Sequence, residues 1–339
     1  MNTKILKIND SSLKLSKNLI LNNDLVAFPT ETVYGLGGLA TSDKAVQKIF
    51  EAKGRPSDNP LIVHVHKNYD LSKLVNVEHD YVYSLISAFM PGPLTLVMKS
   101  KGAVSNFVTC GLDTLAVRIP DHEGCQEFLR YLDLPIAAPS ANVSKHTSPV
   151  TANHVYDDLC GKIEIILDGG KCKGGIESTV IDVTGQVPVI LRSGLVTAEM
   201  IKRVVGYCEY AGVKEGEPVR SPGMKYTHYT PKCCSVLFER NELPLAQKLY
   251  DDCLQLGKVP VFLCDDKVSH KLCGEKLLLG STGEEIASNL YYKLLEGEKI
   301  ADILIAVKIN TGEEIDVGVL NRLTKACKPY DDDFNIEDI

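Results

Sequence analysis

Short apolar runs alternate with amphipathic stretches along almost the whole chain, and that alternation restricts the fold to α/β architecture. Lys4 to Ile8 reads as a strand, and Ser11 or Ser12 caps a helix to about Asn22 whose apolar face is Leu13, Leu15, Leu19 and Ile20. Leu25 to Phe28 is a strand stopped by Pro29, which cannot donate to a sheet ladder. Ser42 or Asp43 opens a second helix carrying Ala45, Val46, Ile49 and Phe50, closed by Gly54 with Lys53 in its last turn. The alternation continues through a strand at Leu61 to Val65, a helix at Tyr81 to Phe89 cut by Pro91, and a strand at Leu94 to Met98. Further strands follow at Leu115 to Ile119, Ile136 to Ala138, Ile165 to Leu167, Thr179 to Val183 and Val189 to Leu191, with helices at Cys125 to Tyr131 and Thr151 to Leu159.

The pattern lapses from Gly206 to Lys232, a stretch rich in Gly, Pro and polar residues. It resumes at Ser235 as strand, helix (Leu245 to Leu256), strands (Val259 to Cys264, Lys276 to Leu279), helix (Glu284 to Leu295), strand (Ile303 to Val307) and a helix containing Leu320 and Leu323. With 339 residues and 44% hydrophobic content the chain supports two cores. The expected division is a catalytic α/β domain over 1–205, a linker or lid over 206–232 and a smaller Rossmann-like α/β domain over 233–339. The second domain has no GxGxxG turn, so dinucleotide binding there lacks support. The acidic tail DDDFNIEDI is expected to fray.

Charge and cysteine usage exclude several classes. A net charge of -7 argues against bulk electrostatic coating of nucleic acid, which needs a basic surface. Eleven cysteines, odd in number and irregular in spacing, are expected to be reduced thiols, and the adjacent Cys233 and Cys234 to be partly buried. No CxxC or HExxH spacing points to zinc, and His64 and His66, two apart on one strand, lack a third ligand. Neither an N-terminal leader pattern nor a run of about twenty apolar residues occurs, and a cytoplasmic location is expected.

The chemistry concentrates between Phe28 and Val65. A hydroxyl-rich turn (Thr30, Glu31, Thr32), a glycine-rich bend (Gly35, Gly37, Gly38), a cationic pair (Lys53, Arg55) and His64 on an apolar strand fall within this stretch. These groups suit the holding of small anions, although His64, flanked by Ile62, Val63 and Val65, by itself reads more readily as a hydrogen-bonded core histidine. Pro139, Ser140, Ala141 and Asn142 follow a strand directly and form either an anion-binding turn or a plain one. Arg118 on the strand LAVRIP is a fork-shaped cation for a carboxylate or the half of a structural ion pair. No Walker A sequence or kinase glycine loop is present, and GGLA (37–40) and GGKCKGG (169–175) read as flexible loops.

The segment PTETVYGLG, the Lys53/Arg55 pair, the NPL that follows and the histidine-bearing strand resemble the YrdC-like family of threonylcarbamoyl-AMP synthases. DTLAVRIPDH (Asp113 to His122), APSANVSKHTSP (Ala138 to Pro149) and ESTVIDVT (Glu177 to Thr184) match in the same order. SPGMKYTHYTPK (Ser221 to Lys232) is similar to the linker of the longer, two-domain form. The resemblance implies a YrdC-like twisted open-sheet domain followed by a Rossmann-like one. It also implies condensation of L-threonine, bicarbonate and ATP into threonylcarbamoyl-AMP and pyrophosphate, with Mg2+ accompanying ATP. The resemblance implies as well that the product passes to partner proteins that modify tRNAs reading codons that start with A.

The resemblance further assigns L-threonine to Thr32, His64, Arg118, Ala138 and Ser178, and ATP to Arg55, Asn59, Thr114, Ser140, Ser148, Arg192 and His228. Lys53 and Arg55 are its catalytic cations, and the linker motif becomes a lid or else an interdomain spacer. Two other readings are weighed against it. A double-stranded RNA or tRNA binding module is opposed by the acidic total charge, and a hydrogenase-maturing carbamoyltransferase by the lack of acylphosphatase-like and zinc-finger sequences. For the C-terminal unit, anchoring the lid, dimerising or docking partners stay open.

Overall fold

The computed structural model describes residues 2–212, 229–331 and 334–336, so His228 and most of the linker motif lie outside the described residues. The chain divides into two compact units, one formed by 1–144 with 148–226 and the other by 145–147 with 227–339.

The first unit is built on one open mixed sheet. Its strands are β1 (Lys4–Lys7), β2 (Val26–Phe28), β3 (Gly35–Leu39), β4 (Ile62–His64), β5 (Val75–Asn76), β6 (Leu94–Ser100), β7 (Thr114–Arg118), β8 (Ile136–Ala137), β9 (Ile165–Asp168), β10 (Thr179–Asp182), β11 (Val189–Arg192) and β12 (Glu209–Tyr210). They lie in the order β1-β9-β2-β3-β8-β4-β7-β6-β10-β11-β12, with β5 added beside β6. The first helix, Asp10–Leu21, is capped by Asn9 rather than by Ser11 or Ser12. Asn9 and Ser12 exchange side chain to backbone hydrogen bonds of 3.0 Å each, so Ser12 closes the box from inside the helix.

The glycine-rich segment from Gly35 is not a bend but strand β3, antiparallel to β2. Its composition follows from packing. A Cβ on Gly37 would stand 2.8 Å from both Ile136 Cγ2 and Phe28 Cε1, so glycine lets the Phe28 ring lie flat on the sheet. That ring also meets Phe128 at 5.3 Å and the edge of His64 at 5.8 Å, and it sits in a buried core with Leu13, Ile20, Leu129 and Ile165. The helix Asp43–Lys53 begins at Ser42, whose Oγ accepts from the Ala45 amide, and ends at Gly54 with φ 59°. Ala45, Val46, Ile49 and Phe50 are buried on its inner face, which carries Lys53 inward with them.

The second unit holds a wholly parallel sheet of β13 (Cys234–Phe238), β14 (Pro260–Cys264), β15 (Lys276–Leu278), β16 (Ile303–Val307) and β17 (Lys328–Pro329), ordered β15-β14-β16-β13-β17. Helices Leu243–Gln255, Gly283–Gly297 and Asp316–Ala326 connect these strands, and β16, buried at every residue, forms the centre. Tyr250 stacks on Phe262 at 4.6 Å in its core. Within this unit the end of the linker motif is pinned: Thr147 donates to the Tyr229 carbonyl at 2.8 Å, the Tyr229 ring stacks on Tyr291, and the Lys232 amide donates to Glu298 at 2.9 Å. All eleven cysteines are free, with Cys233 and Cys234 partly buried. Among the described residues no helix is long and apolar enough to cross a membrane.

Candidate active site

Strand register assembles the site. His64 on β4 pairs with Arg118 on β7, and Arg118 pairs with Thr95 on β6. Residues directly opposite across a ladder share a face, so an imidazole, a guanidinium and a hydroxyl stand side by side, all buried. Thr95 in turn pairs with Val180 on β10, which brings Ser178, two residues earlier, to a 2.8 Å hydroxyl contact with Thr95. Arg192 on β11 clamps this point by donating to the Ser178 carbonyl at 2.9 and 3.2 Å and to its hydroxyl at 3.3 Å. Gly194 makes the clamp possible, because a Cβ there would press to 2.5 Å on the Thr179 amide nitrogen and 2.6 Å on the Glu177 carbonyl.

Arg118 is the centre of this row. Its Nε donates to the Gly92 carbonyl at 3.4 Å and its Nη2 to Glu31 Oε1 at 2.7 Å, while Nη1 donates to no described residue. The Arg118 and Glu31 side chains are only 4% and 12% exposed, so the ion pair is shielded from water. His64 is neutral here: burial first and the Arg118 charge second push its imidazole down to about 3. Nδ1 lies 3.2 Å from the Ile62 carbonyl, and the Ile136 backbone also bonds to the ring.

Thr32, fully buried, is similarly constrained. Thr30 Oγ1 gives its single hydrogen to the Val33 carbonyl at 2.6 Å. In the 2.9 Å contact between the two threonine hydroxyls Thr32 must therefore donate, and its oxygen is left with lone pairs only. The Ala138 amide already donates to the Ile62 carbonyl at 2.9 Å, so only the Ala138 carbonyl is open to a ligand.

The residues assigned to ATP spread along the same strands. Thr114 starts β7, four residues and about 13 Å from Arg118. Arg55 reaches the Asn59 and Pro60 carbonyls at 3.3 and 3.5 Å, just before β4 begins. Asn59 is buried, yet neither its amide nitrogen nor its amide oxygen has a partner among the described residues. An unpaired buried amide is expensive, and a ligand that pairs both of its atoms removes the cost. Ser140 bridges to Gly35 beside the threonine turn, and Ser148 donates to Glu177 at 2.6 Å.

Lys53, expected as a catalytic cation, is buried and bonds to the protein's own backbone. Its ammonium donates to the carbonyls of Ser140 and Asn142 and approaches the Asn142 side-chain oxygen at 3.4 Å. Its backbone carbonyl accepts from the Ser144 amide at 2.7 Å. Burial, with Arg55 nearby, holds the ammonium well below the usual lysine range. Lys53 thus braces the turn that presents Ser140.

Three participants escaped the reading of the sequence. Glu31 was legible only as part of a hydroxyl-rich turn, Thr95 as one polar residue in the apolar run LTLVM, and Glu177 as the residue before Ser178. The polar residue inside an apolar strand was the available signal for Thr95, because a buried hydroxyl needs a partner. Among the described residues no group of three or more His, Cys, Asp or Glu side chains is placed to hold a metal ion. A magnesium ion bound through ATP oxygens and water needs no such cage.

Comparison with known proteins identifies the lineage. A family model described as telomere recombination matches residues 18–194, and one described as threonylcarbamoyl-AMP synthase, C-terminal domain, matches residues 196–327. The threonylcarbamoyl-AMP synthase of Bacillus subtilis is 41% identical over 337 residues, covering 96% of this chain and 95% of the relative. That of Pyrococcus abyssi is 39% identical over 331 residues, covering 94% and 95%. The crystal structure of P. abyssi Sua5 complexed with L-threonine matches with a TM-score of 0.86 at 38% identity, over 96% of each chain. With both family models in sequence along the chain and relatives this similar over nearly its full length, the chain belongs to the threonylcarbamoyl-AMP synthase family.

Proposed function

We propose that this chain condenses L-threonine, bicarbonate and ATP into threonylcarbamoyl-AMP and pyrophosphate. The observation that carries the reading is the buried row of His64, Arg118 and Thr95 with Ser178 beside it, on a chain closely similar to proteins named for that product. Arg118 Nη1 takes the threonine carboxylate. Thr32, His64, Ser178 and the Ala138 carbonyl line a pocket for a small polar amino acid, and a pocket built to hydrogen-bond its hydroxyl rejects apolar amino acids.

The chemistry needs positioning more than a nucleophile. The ammonium of threonine loses a proton to water, the amine forms an N–C bond to the carbon of bicarbonate, water leaves, and a carbamate results. A carbamate oxygen then forms a bond to the α-phosphorus of ATP as the bond to pyrophosphate breaks. No protein atom becomes covalently attached, so rate comes from fixed donors and from orientation. Arg55, Arg192, Ser140, Ser148, Asn59 and Thr114 are the proposed ATP contacts, with Lys53 bracing Ser140. Mg2+ enters with ATP, and His228 is retained as a further proposed contact from the linker, whose closure would keep water from a labile mixed anhydride. The product passes to a tRNA-modifying transferase in the cytoplasm.

The test is pyrophosphate release from ATP by the purified protein, with the adenylate followed by mass spectrometry. Release that requires both threonine and bicarbonate supports the synthase. Release indifferent to threonine overturns it.

A further inference from the structure

We infer that Glu31 is a threonine-binding residue, with its free carboxylate oxygen receiving the α-ammonium of the amino acid while Arg118 receives the carboxylate. The inference rests on the threonine reading above and adds to it the group that recognises the amine. Four observations converge. Glu31 Oε1 is bound to Arg118 Nη2 at 2.7 Å, whereas Oε2 is buried without a hydrogen-bond donor among the described residues. A buried anionic oxygen left unpaired carries a large desolvation cost, which a cationic ligand removes. Thr32, the next residue, offers a hydroxyl oxygen that can only accept, because its hydrogen is committed to Thr30. Arg118 keeps Nη1 uncommitted to any described residue, beside the same carboxylate.

The charges match as well as the atoms. The Arg118 and Glu31 pair carries one positive and one negative charge, with a guanidinium nitrogen on one side and a carboxylate oxygen on the other uncommitted to any described residue. A zwitterionic amino acid carries the complementary two charges, joined through its Cα. An ammonium has three donors and no acceptor, so it is served by Glu31 Oε2 and Thr32 Oγ1 and by nothing that donates. Arginine and carboxylate pairs frequently use both carboxylate oxygens. Here one oxygen is held in reserve, and the ligand completes the pair.

The experiment compares two ligands on two proteins by isothermal titration calorimetry. L-Threonine carries the ammonium, and (R)-3-hydroxybutyrate is the same molecule without it. Wild type is expected to bind threonine about 10- to 100-fold more tightly than the hydroxy acid, the worth of a charge-assisted hydrogen bond. In Glu31→Gln that ratio is expected to fall to within about threefold, mostly through loss of threonine affinity. Equal weakening of both ligands would mean that Glu31 acts only by holding Arg118, and overturns the inference. An unchanged ratio overturns it too. Should Glu31→Gln fail to fold, the wild-type ratio decides: comparable affinities for the two ligands leave Glu31 with no ammonium to recognise. A wild type that binds neither ligand defeats the threonine reading itself, not the assignment of Glu31 within it.

Discussion

Acidification should destabilise the first unit through one histidine. His64 is held neutral, its imidazole pushed down to about 3 by burial and by Arg118, whereas in the unfolded chain it titrates at about 6.5. Between those values the unfolded state binds the extra proton, so stability rises with pH across the window. The contribution is fully present above 6.5 and is lost progressively as pH falls toward 3. From pH 7 to pH 5 the unfolded imidazole becomes almost wholly charged and the folded one does not, which removes about 2 kcal/mol. The replacement His64→Asn abolishes that term while keeping an amide donor for the Ile62 carbonyl. It lowers stability by a roughly constant amount at all pH values. Because the chain has no tryptophan, the assay is urea denaturation followed by circular dichroism, with separate transitions fitted for the two units. Carboxylates common to both proteins cancel in the comparison. A pH 7 to 5 loss that is the same in wild type and variant, to within about 0.5 kcal/mol, would refute the burial argument for His64.

Replacing Arg118 by Lys exchanges a fork for a point charge, so Nη1 is lost even if the Glu31 pair survives; threonine affinity should fall about 10- to 100-fold in calorimetry with adenine nucleotide binding little changed. Lys53→Met strips the donor from the Ser140 and Asn142 carbonyls but also removes a desolvated charge. The expected net loss is about 1–4 kcal/mol in the first-unit transition, with slower pyrophosphate release, and an unchanged midpoint would contradict the bracing role. Asn59→Ala deletes an amide that bonds to no described residue, so stability should hold or rise by about 1 kcal/mol while KM for ATP rises about tenfold or more. A large drop in its melting midpoint would show that the amide is structural.

Much of the fold was legible because it depends on local pattern. The apolar positions Ala45, Val46, Ile49 and Phe50, the cap at Ser42 and the stop at Gly54 define one helix before any tertiary contact is known. Strand β7 and the strands of the second unit announce themselves by short apolar runs. Gly35–Leu39 did not, since four residues of Gly, Leu, Gly, Gly have little strand propensity of their own. Only the Phe28 ring lying against Gly37 makes a strand the right place for them. Asn9 and Ser12 are equally good local cap signals, and only the backbone geometry makes Asn9 the cap.

The sequence by itself determined the α/β character of both units and the chemical inventory of the site: one arginine and one histidine on apolar strands, hydroxyls at 32 and 178, and a lysine at a helix end. Tertiary structure decided which of these groups meet and what each has left to offer. His64, Arg118 and Thr95 become neighbours through the pairing of β4, β7 and β6. A strand's period of two shows only which residues share its face, and register with distant strands is set by the packing of the whole sheet. The same packing commits the Lys53 ammonium to two backbone carbonyls and leaves one oxygen of Glu31 unpaired. Burial removes water as an alternative partner, so each polar group's remaining valence is fixed by the neighbours that the fold supplies.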